Sequence, residues 1–327
     1  MKKYVPNLFT RVCIVAVICM TTTVGFGQYV FFGKPEYEIG LNVGPSNFLG
    51  DLGGNMGKGT TFLKDNSFKT TKLLFGAYVS AHPSEFIGFT LSLNYTRLEG
   101  ADSLIHDKGG YEVYRKQRNL SFRSPVIEGL LTTEIYPFVF LEDDDKDLWH
   151  KFRPYGVLGI GVFHFNPQTI YTNSSGVSEW VNLKPLRTEG EGMPNYPNRK
   201  EYSLTQFNIP YGVGVKYFLS ENVSVAFELL SRKTFTDYID DVSTTFVSDA
   251  DFDNYFGAGS EMAAMAKQVH NRSALVGPGT RIPGYNEGDK RGTTTHNDSY
   301  YSGTIKLGIR LARGEHSSVQ TRCPLKF

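Results

Sequence analysis

The stretch Ile87-Gly88-Phe89-Thr90-Leu91-Ser92-Leu93-Asn94-Tyr95-Thr96 alternates apolar residues with small or polar ones throughout its length. Side chains of a β-strand point alternately to its two faces, so this pattern puts an apolar face and a polar face on one strand. Such alternation is typical of the wall of a membrane barrel, where apolar side chains contact lipid and polar side chains line the interior. The stretch therefore predicts a barrel strand.

The same pattern recurs along the chain. It is clear in four further segments and weaker in three, in which some positions on the polar face are also apolar. The clear segments are 36–43, 206–217, 223–229 and 304–311, and the weaker ones are 72–81, 120–136 and 154–165. A closed bacterial barrel needs an even number of strands. The prediction is an all-β fold, an eight-stranded antiparallel transmembrane β-barrel of the outer-membrane type.

The lengths of the links between these strands support the same topology. Short or medium links alternate strictly with long ones. The short and medium links are 82–85, 137–152 and 219–222, and the long ones are 46–70, 97–118, 167–203 and 233–299. Outer-membrane barrels have short periplasmic turns and long extracellular loops, so the long links are predicted to be extracellular. Within the last long link, Glu261 to Val269 has a helical composition.

A water-soluble β-barrel is the main alternative, because its strands alternate as well but with the apolar face inward. The polar face carries five acidic and five basic residues: Glu36, Glu38, Lys72, Glu128, Glu134, Lys216, Glu228, Arg232, Lys306 and Arg310. Balanced charges with many glycines suit the interior of a narrow barrel, which eight strands leave just wide enough for side chains to fill. This content favours the membrane barrel, with Leu91 and Phe227 facing lipid.

The N-terminal segment 1–27 is predicted to be a secretory signal peptide. Lys2 and Lys3 precede a short apolar stretch, and Gly25 and Gly27 occupy the positions that a signal peptidase inspects. We expect three regions: the signal peptide, a barrel over 28–312 and a periplasmic tail over 313–327. Removal of the signal peptide leaves Cys323 as the one cysteine, which excludes an internal disulfide and a cysteine-based metal site.

No motif predicts an enzyme. The histidines show no Ser-His or His-x-x-x-His spacing, and a net charge of +1 argues against nucleic-acid binding. Asp249, Asp251 and Asp253 resemble the start of a calcium loop, but Asn254 and Ser260 stand where that loop requires Gly and Glu. We predict no catalytic, cofactor-binding or metal-binding residue, no cofactor and no small-molecule substrate. Asp237, Asp240 and Asp241 are expected to pair with Arg232 and Lys233 at the barrel rim.

Four segments, taken in order, resemble the PorG-like outer-membrane barrels of Bacteroidota. They are Glu38-Ile39-Gly40 continuing to Ser46–Gly54, Arg118–Pro125, Asp237–Ser243 and Cys323–Phe327. That family belongs to the type IX protein secretion machinery, which in some species also supports gliding motility. The resemblance implies a non-enzymatic outer-membrane accessory protein, in contact with outer-membrane lipids and with a periplasmic ring built from the PorK lipoprotein and PorN.

The predicted contact residues for such a partner lie in two places. Asp143, Asp144 and Asp145 belong to the medium link, and Arg322, Cys323 and Phe327 belong to the tail. The acidic run is also consistent with an ordinary solvated turn. Two other functions remain open: a small porin or solute channel, and an orphan outer-membrane barrel with an unrelated role.

Overall fold

The computed structural model describes residues 35–53, 68–105, 110, 112–141, 151–273 and 285–311. These residues form ten strands in one antiparallel sheet: β1 Glu36–Leu49, β2 Lys72–Ser84, β3 Ile87–Ala101, β4 Ser121–Ile135, β5 Phe152–Phe165, β6 Gln168–Thr172, β7 Ser178–Asn182, β8 Thr205–Phe218, β9 Val223–Thr234 and β10 Ser299–Arg310. Eight of them close into a barrel, because β1 pairs with β10 and β3 pairs with β4. The predicted eight-stranded antiparallel barrel is confirmed.

The register of the pairs fixes the size of the barrel. A path across successive paired residues from Tyr37 on β1 passes Phe89, Leu158 and Ser231, and returns to β1 at Asn47, ten residues further along. Eight strands with this stagger correspond to a strand tilt of about 40° and a backbone radius of about 8 Å. Such a cylinder holds side chains and little else.

The two faces of the wall are distributed as the alternation predicts. Leu91 is 62% exposed and Phe227 is 52% exposed on the outside, whereas Glu128 and Lys216 are almost completely buried inside. A belt of exposed apolar side chains around a buried polar interior is the reverse of a soluble barrel and suits contact with lipid. In the described segments, no helix combines the length and the hydropathy needed to cross a membrane.

Short and long connections alternate, as predicted, but several strands extend further than the sequence indicates. β9 continues to Thr234 and β10 begins at Ser299, each five residues beyond the alternating segment. Above the apolar belt the outward side chains no longer need to be apolar, so the alternation stops while the backbone ladder continues. The long connections therefore start well above the belt.

The long connections pack together into a cap on one end of the barrel. The cap contains the helices α1 Glu112–Arg118, α2 Asp249–Phe256 and α3 Glu261–His270. The side chains of Ser248 and Ser260 accept hydrogen bonds from backbone N–H groups at the starts of α2 and α3. The helix predicted at Glu261–Val269 is confirmed. Asp249, Asp251 and Asp253 lie on α2 and not in a calcium loop.

The hairpin of β6 and β7 was not predicted. Both strands have five residues, too few to establish a period of two, and β7 is exposed along nearly its whole length. β6 continues the barrel sheet above the wall, where Gln168 pairs with Arg123 of β4. The hairpin therefore extends the barrel sheet beyond the wall at the capped end.

Candidate functional site

The half of the barrel interior that lies away from the cap contains a network of buried charges. Lys306 of β10 lies at its centre, with Nζ 3.0 Å from Oε1 of Glu134 and 3.1 Å from Oε2 of Glu228. Lys216 reaches Oε1 of Glu38 at 3.4 Å and Oε2 of Glu134 at 3.7 Å. Buried charges are tolerated when they are paired and hydrogen-bonded. Five charged side chains from five strands are thus joined across the lumen.

A second group of charges fills the lumen closer to the cap. Arg232 of β9 donates to both carboxylate oxygens of Glu128, at 2.7 and 3.2 Å, and both side chains are 1% exposed. The Tyr300 hydroxyl donates to Glu128 at 2.6 Å, and the Asn94 amide donates to it at 3.0 Å. Such a bidentate arrangement fixes the orientation of both side chains. The pair ties β4 and β9 together across the barrel.

Tyrosine rings occupy part of the remaining interior. Tyr78 donates to Glu38 at 2.9 Å and Tyr155 donates to Glu228 at 3.0 Å. Gly40 and Gly214 leave room for these rings, since a Cβ at either position would lie 2.5 Å or less from the neighbouring tyrosine ring. Between the two charge networks lies a cavity of about 20 Å³, enough for about one water molecule. The described lumen is filled and not open.

The cap is joined to the barrel mouth by Arg118, at the end of α1. Its guanidinium donates to both carboxylate oxygens of Asp102, at 2.8 and 2.9 Å, and to the Asp51 carbonyl at 2.6 Å. Nearby, the Leu52 N–H donates to Oδ2 of Asp240 at 2.9 Å. The structure therefore brings together three of the four segments that carry the family resemblance: 46–54, 118–125 and 237–243.

A second junction in the cap surrounds Arg291. Its guanidinium lies 2.8 Å from Oε1 of Glu189 and 3.9 Å from Oδ2 of Asp241. The Tyr202 hydroxyl donates to Asp241 at 2.6 Å, and its ring stacks on Tyr238 with centroids 4.7 Å apart. Burial raises the pKa of Asp241 to about 6, although Arg291 acts in the opposite direction. This junction locks the connection after β6 and β7 onto the connection after β9.

Several acidic side chains are crowded at the base of the cap. Burial raises the pKa of Asp237 to about 8. Burial followed by the charge of Asp51 raises the pKa of Asp240, and burial followed by the charge of Asp240 raises that of Asp298. Proton uptake by these acids therefore favours the assembled cap. Within the described segments, no group of three or more His, Cys, Asp or Glu residues is arranged to hold a metal ion.

The predicted ion pairs at the barrel rim are wrong. Arg232 points into the lumen and binds Glu128, while Lys233 points outward, because the strand alternation continues through both residues. Asp240 accepts backbone N–H groups, and Asp241 faces Arg291. Residues Asp102, Glu189, Arg291 and Asp298 were not identified from the sequence. Their partners lie in other loops, and no local sequence pattern predicts contacts between loops.

The predicted partner-contact residues lie outside the described residues. This applies to Asp143, Asp144 and Asp145 in the medium link and to Arg322, Cys323 and Phe327 in the tail. It applies equally to the predicted signal peptide over 1–27. Their roles stay predictions.

Comparisons with known proteins match structures and not sequences. No protein-family model and no curated protein matches the chain, whereas 24 chains of solved structures do. One is a major outer membrane protein from Thermus thermophilus, with 10% identity, TM-score 0.39, and coverage of 85% of this chain and 100% of that chain. OprG from Pseudomonas aeruginosa has 10% identity, TM-score 0.34 and coverage of 86% and 99%.

A third is Ail, the attachment invasion locus protein of Yersinia pestis, with 9% identity, TM-score 0.33 and coverage of 86% of this chain and 100% of that chain. Values this low carry no information about function. The eight-stranded architecture rests on the strand pairing of this chain itself.

Proposed function

We propose that this protein is a non-enzymatic outer-membrane barrel with a structural role, a closed membrane anchor for a rigid cap. The observation that carries the proposal is the filled lumen, in which Lys306 joins Glu134 and Glu228 while Arg232 pairs with Glu128. A pore must leave a water-filled path, and an eight-stranded barrel leaves none when its side chains meet at the centre. This geometry disfavours the porin alternative.

Placement in the outer membrane is supported by the wall and by the predicted signal peptide. Closed β-barrels with an apolar belt satisfy their backbone hydrogen bonds internally, as a lipid environment requires. In that orientation the short turns would face the periplasm and the cap would face the outside. The acidic run 142–145 and the tail 313–327 would then share the periplasmic side.

The finer proposal is that the barrel is an accessory component of the type IX secretion machinery, bound to a periplasmic ring of PorK-like and PorN-like proteins. It rests on the resemblance of the four segments, three of which meet at the barrel mouth through Arg118 and Asp240. The proposed contacts are Asp143, Asp144 and Asp145, with Arg322, Cys323 and Phe327. An orphan barrel with another role remains the alternative.

Affinity purification of the tagged full-length chain from native membranes, followed by mass spectrometry, tests this role. We expect ring components to co-purify, and we expect deletion of 314–327 to reduce their yield while the barrel stays folded and heat-modifiable. Lys233→Gln serves as the matched control, because it removes one exposed charge at the opposite end of the barrel. Full recovery of ring components by the truncated chain would refute the tail contact. Their absence from the intact chain would favour the orphan barrel.

A further inference from the structure

Two arginines lie side by side on the outer wall just above the apolar belt. Arg97 of β3 and Arg123 of β4 both point outward, and their cross-strand neighbours are Pro125 and Glu99 respectively. On β3 the apolar belt runs from Ile87 to Tyr95, which spans about 20 Å along the barrel axis, and Arg97 follows about 5 Å higher. This is the level at which lipid headgroups surround a barrel wall.

The positive charges at this position exceed the negative ones. The carboxylate of Glu99 lies 2.8 Å from Nζ of Lys72 but 4.0 Å from Nη1 of Arg97. Arg123 has no carboxylate within ion-pair distance among the described residues, and its Nε donates to the neutral amide oxygen of Gln168 at 3.0 Å. Three cations therefore share one anion, which Lys72 already holds.

The surroundings of Arg123 hold its guanidinium in a fixed orientation. The ring of Trp180 on β7 stacks against it, with 3.6 Å between the guanidinium carbon and the ring centroid. The hydrogen bond from Nε of Arg123 to Gln168 fixes one edge of the guanidinium, so the N–H groups of its two terminal nitrogens are available to a ligand. Trp180 is itself 43% exposed, and Tyr95 packs against Phe75 just below, with ring centroids 5.4 Å apart. Tryptophan and tyrosine of this kind are enriched at the membrane–water interface.

We propose that Arg97 and Arg123, positioned by Trp180, form a binding site for the phosphate of a membrane lipid of the outer leaflet. Guanidinium groups match phosphate oxygens in a planar, bidentate geometry, and two adjacent guanidinium groups that share a single carboxylate with a lysine favour a further anion between them. A lipid is favoured over a free ion because the acyl chains of a lipid seated here would lie along the apolar belt below. The site rests on the proposed function only for its placement in a membrane.

The test uses the purified full-length protein in phosphatidylcholine vesicles that contain a minor fraction of phosphatidic acid. Retained lipid is counted by native mass spectrometry, and affinity is measured by titrating the phosphatidic acid fraction. We expect Arg97→Gln and Arg123→Gln each to weaken retention about fivefold, as for one cation at a membrane surface. Lys233→Gln is the matched control, since it removes an outward, exposed cation from β9, and it should leave retention unchanged.

Arg97→Gln protects the test against a folding artefact, because the Arg97 side chain makes no hydrogen bond among the described residues and its one ion pair there, with Glu99, is long at 4.0 Å. Inorganic phosphate alone is added as a competitor, and we expect no competition at millimolar concentration. Equal retention by both arginine variants and the wild type would overturn the site. Efficient competition by inorganic phosphate would overturn the lipid as its occupant. Neither result depends on cellular location or on ring components, so failure here is distinguishable from failure of the proposed function.

Discussion

Breaking the ion pair between Arg232 and Glu128 should strongly destabilise the barrel. Both side chains are 1% exposed, and Arg232 also donates to the Leu230 carbonyl at 2.9 Å and to the Ser302 hydroxyl at 2.6 Å. Arg232→Met removes the positive charge but keeps much of the side-chain volume. Removing one partner of a buried ion pair costs about 3–5 kcal/mol, because the other charge stays buried without compensation.

The expected loss lies at the lower end of that range. Glu128 keeps the hydrogen bonds from Tyr300 and Asn94, at 2.6 and 3.0 Å, which partly stabilise its charge. We therefore expect Arg232→Met to lower the free energy of unfolding by about 3 kcal/mol. Adding Glu128→Gln removes the uncompensated charge and keeps an acceptor oxygen for one of the two donors, while the Tyr300 hydroxyl can turn to accept from the new amide N–H. The double variant should therefore recover at least half of the loss.

The assay is urea-induced unfolding of the reconstituted barrel in lipid vesicles. Lys233→Gln is the neighbouring control, since Lys233 is exposed on the opposite face of β9, and it should change the free energy of unfolding by no more than about 0.5 kcal/mol. If Arg232→Met were no more destabilising than this control, the lumenal network would not support the barrel as argued. A double variant less stable than Arg232→Met would contradict the role assigned to the Glu128 charge.

Three further predictions concern the wall and the cap. Leu91→Arg, on the lipid-facing side, should lower the free energy of unfolding by about 2–4 kcal/mol if position 91 lies near the membrane midplane. A lipid-soluble probe should label a cysteine at position 91 but not one at position 216. The reverse labelling would refute the strand register. Arg118→Lys should leave a heat-modifiable barrel but speed protease cleavage in the cap, because lysine cannot donate to both carboxylate oxygens of Asp102 in the way that arginine does. An unchanged cleavage rate would contradict the role of Arg118 in holding the cap. An acid whose pKa is raised to about 8 by burial, as for Asp237, stabilises the folded state at low pH and loses that effect as pH rises from about 4 to about 8. Once rates are corrected for the faster intrinsic exchange at higher pH, cap amides should be less protected at pH 8 than at pH 7, with a smaller difference in Asp237→Asn. Greater protection at pH 8 would count against this role of Asp237.

The barrel wall could be predicted from the sequence because lipid imposes a rule on every outward position. Residues such as Leu91 and Phe227 must be apolar while their neighbours face the interior, so a period of two is visible without knowledge of the partner strands. The charges of the interior, including Glu128 and Lys306, follow from the same alternation. Which of them pair with each other does not, since pairing depends on the stagger of the strands.

The cap could not be predicted in the same way. Arg118 contacts Asp51, Asp102 and Arg291, which are brought together from three different connections. Such contacts follow no period, and the two strands of the β6–β7 hairpin are too short to show one. The predicted pairing of Asp241 with Arg232 was wrong for the same reason. Arg232 is close to Asp241 in sequence, whereas in the fold Asp241 contacts Arg291, which is 50 residues further along the chain.

Conductance of the purified protein in planar lipid bilayers shows whether the barrel is closed by its own side chains. The wild-type protein should give no steady unit conductance, because Lys306, Glu134 and Glu228 meet across the lumen. A variant in which Glu134, Tyr136 and Lys306 are all alanine, once shown to be folded by its heat-modifiable migration, should open measurable channels and so prove that insertion was detected. Stable channels of uniform size from the wild type would show that the lumen is open and would favour the porin alternative.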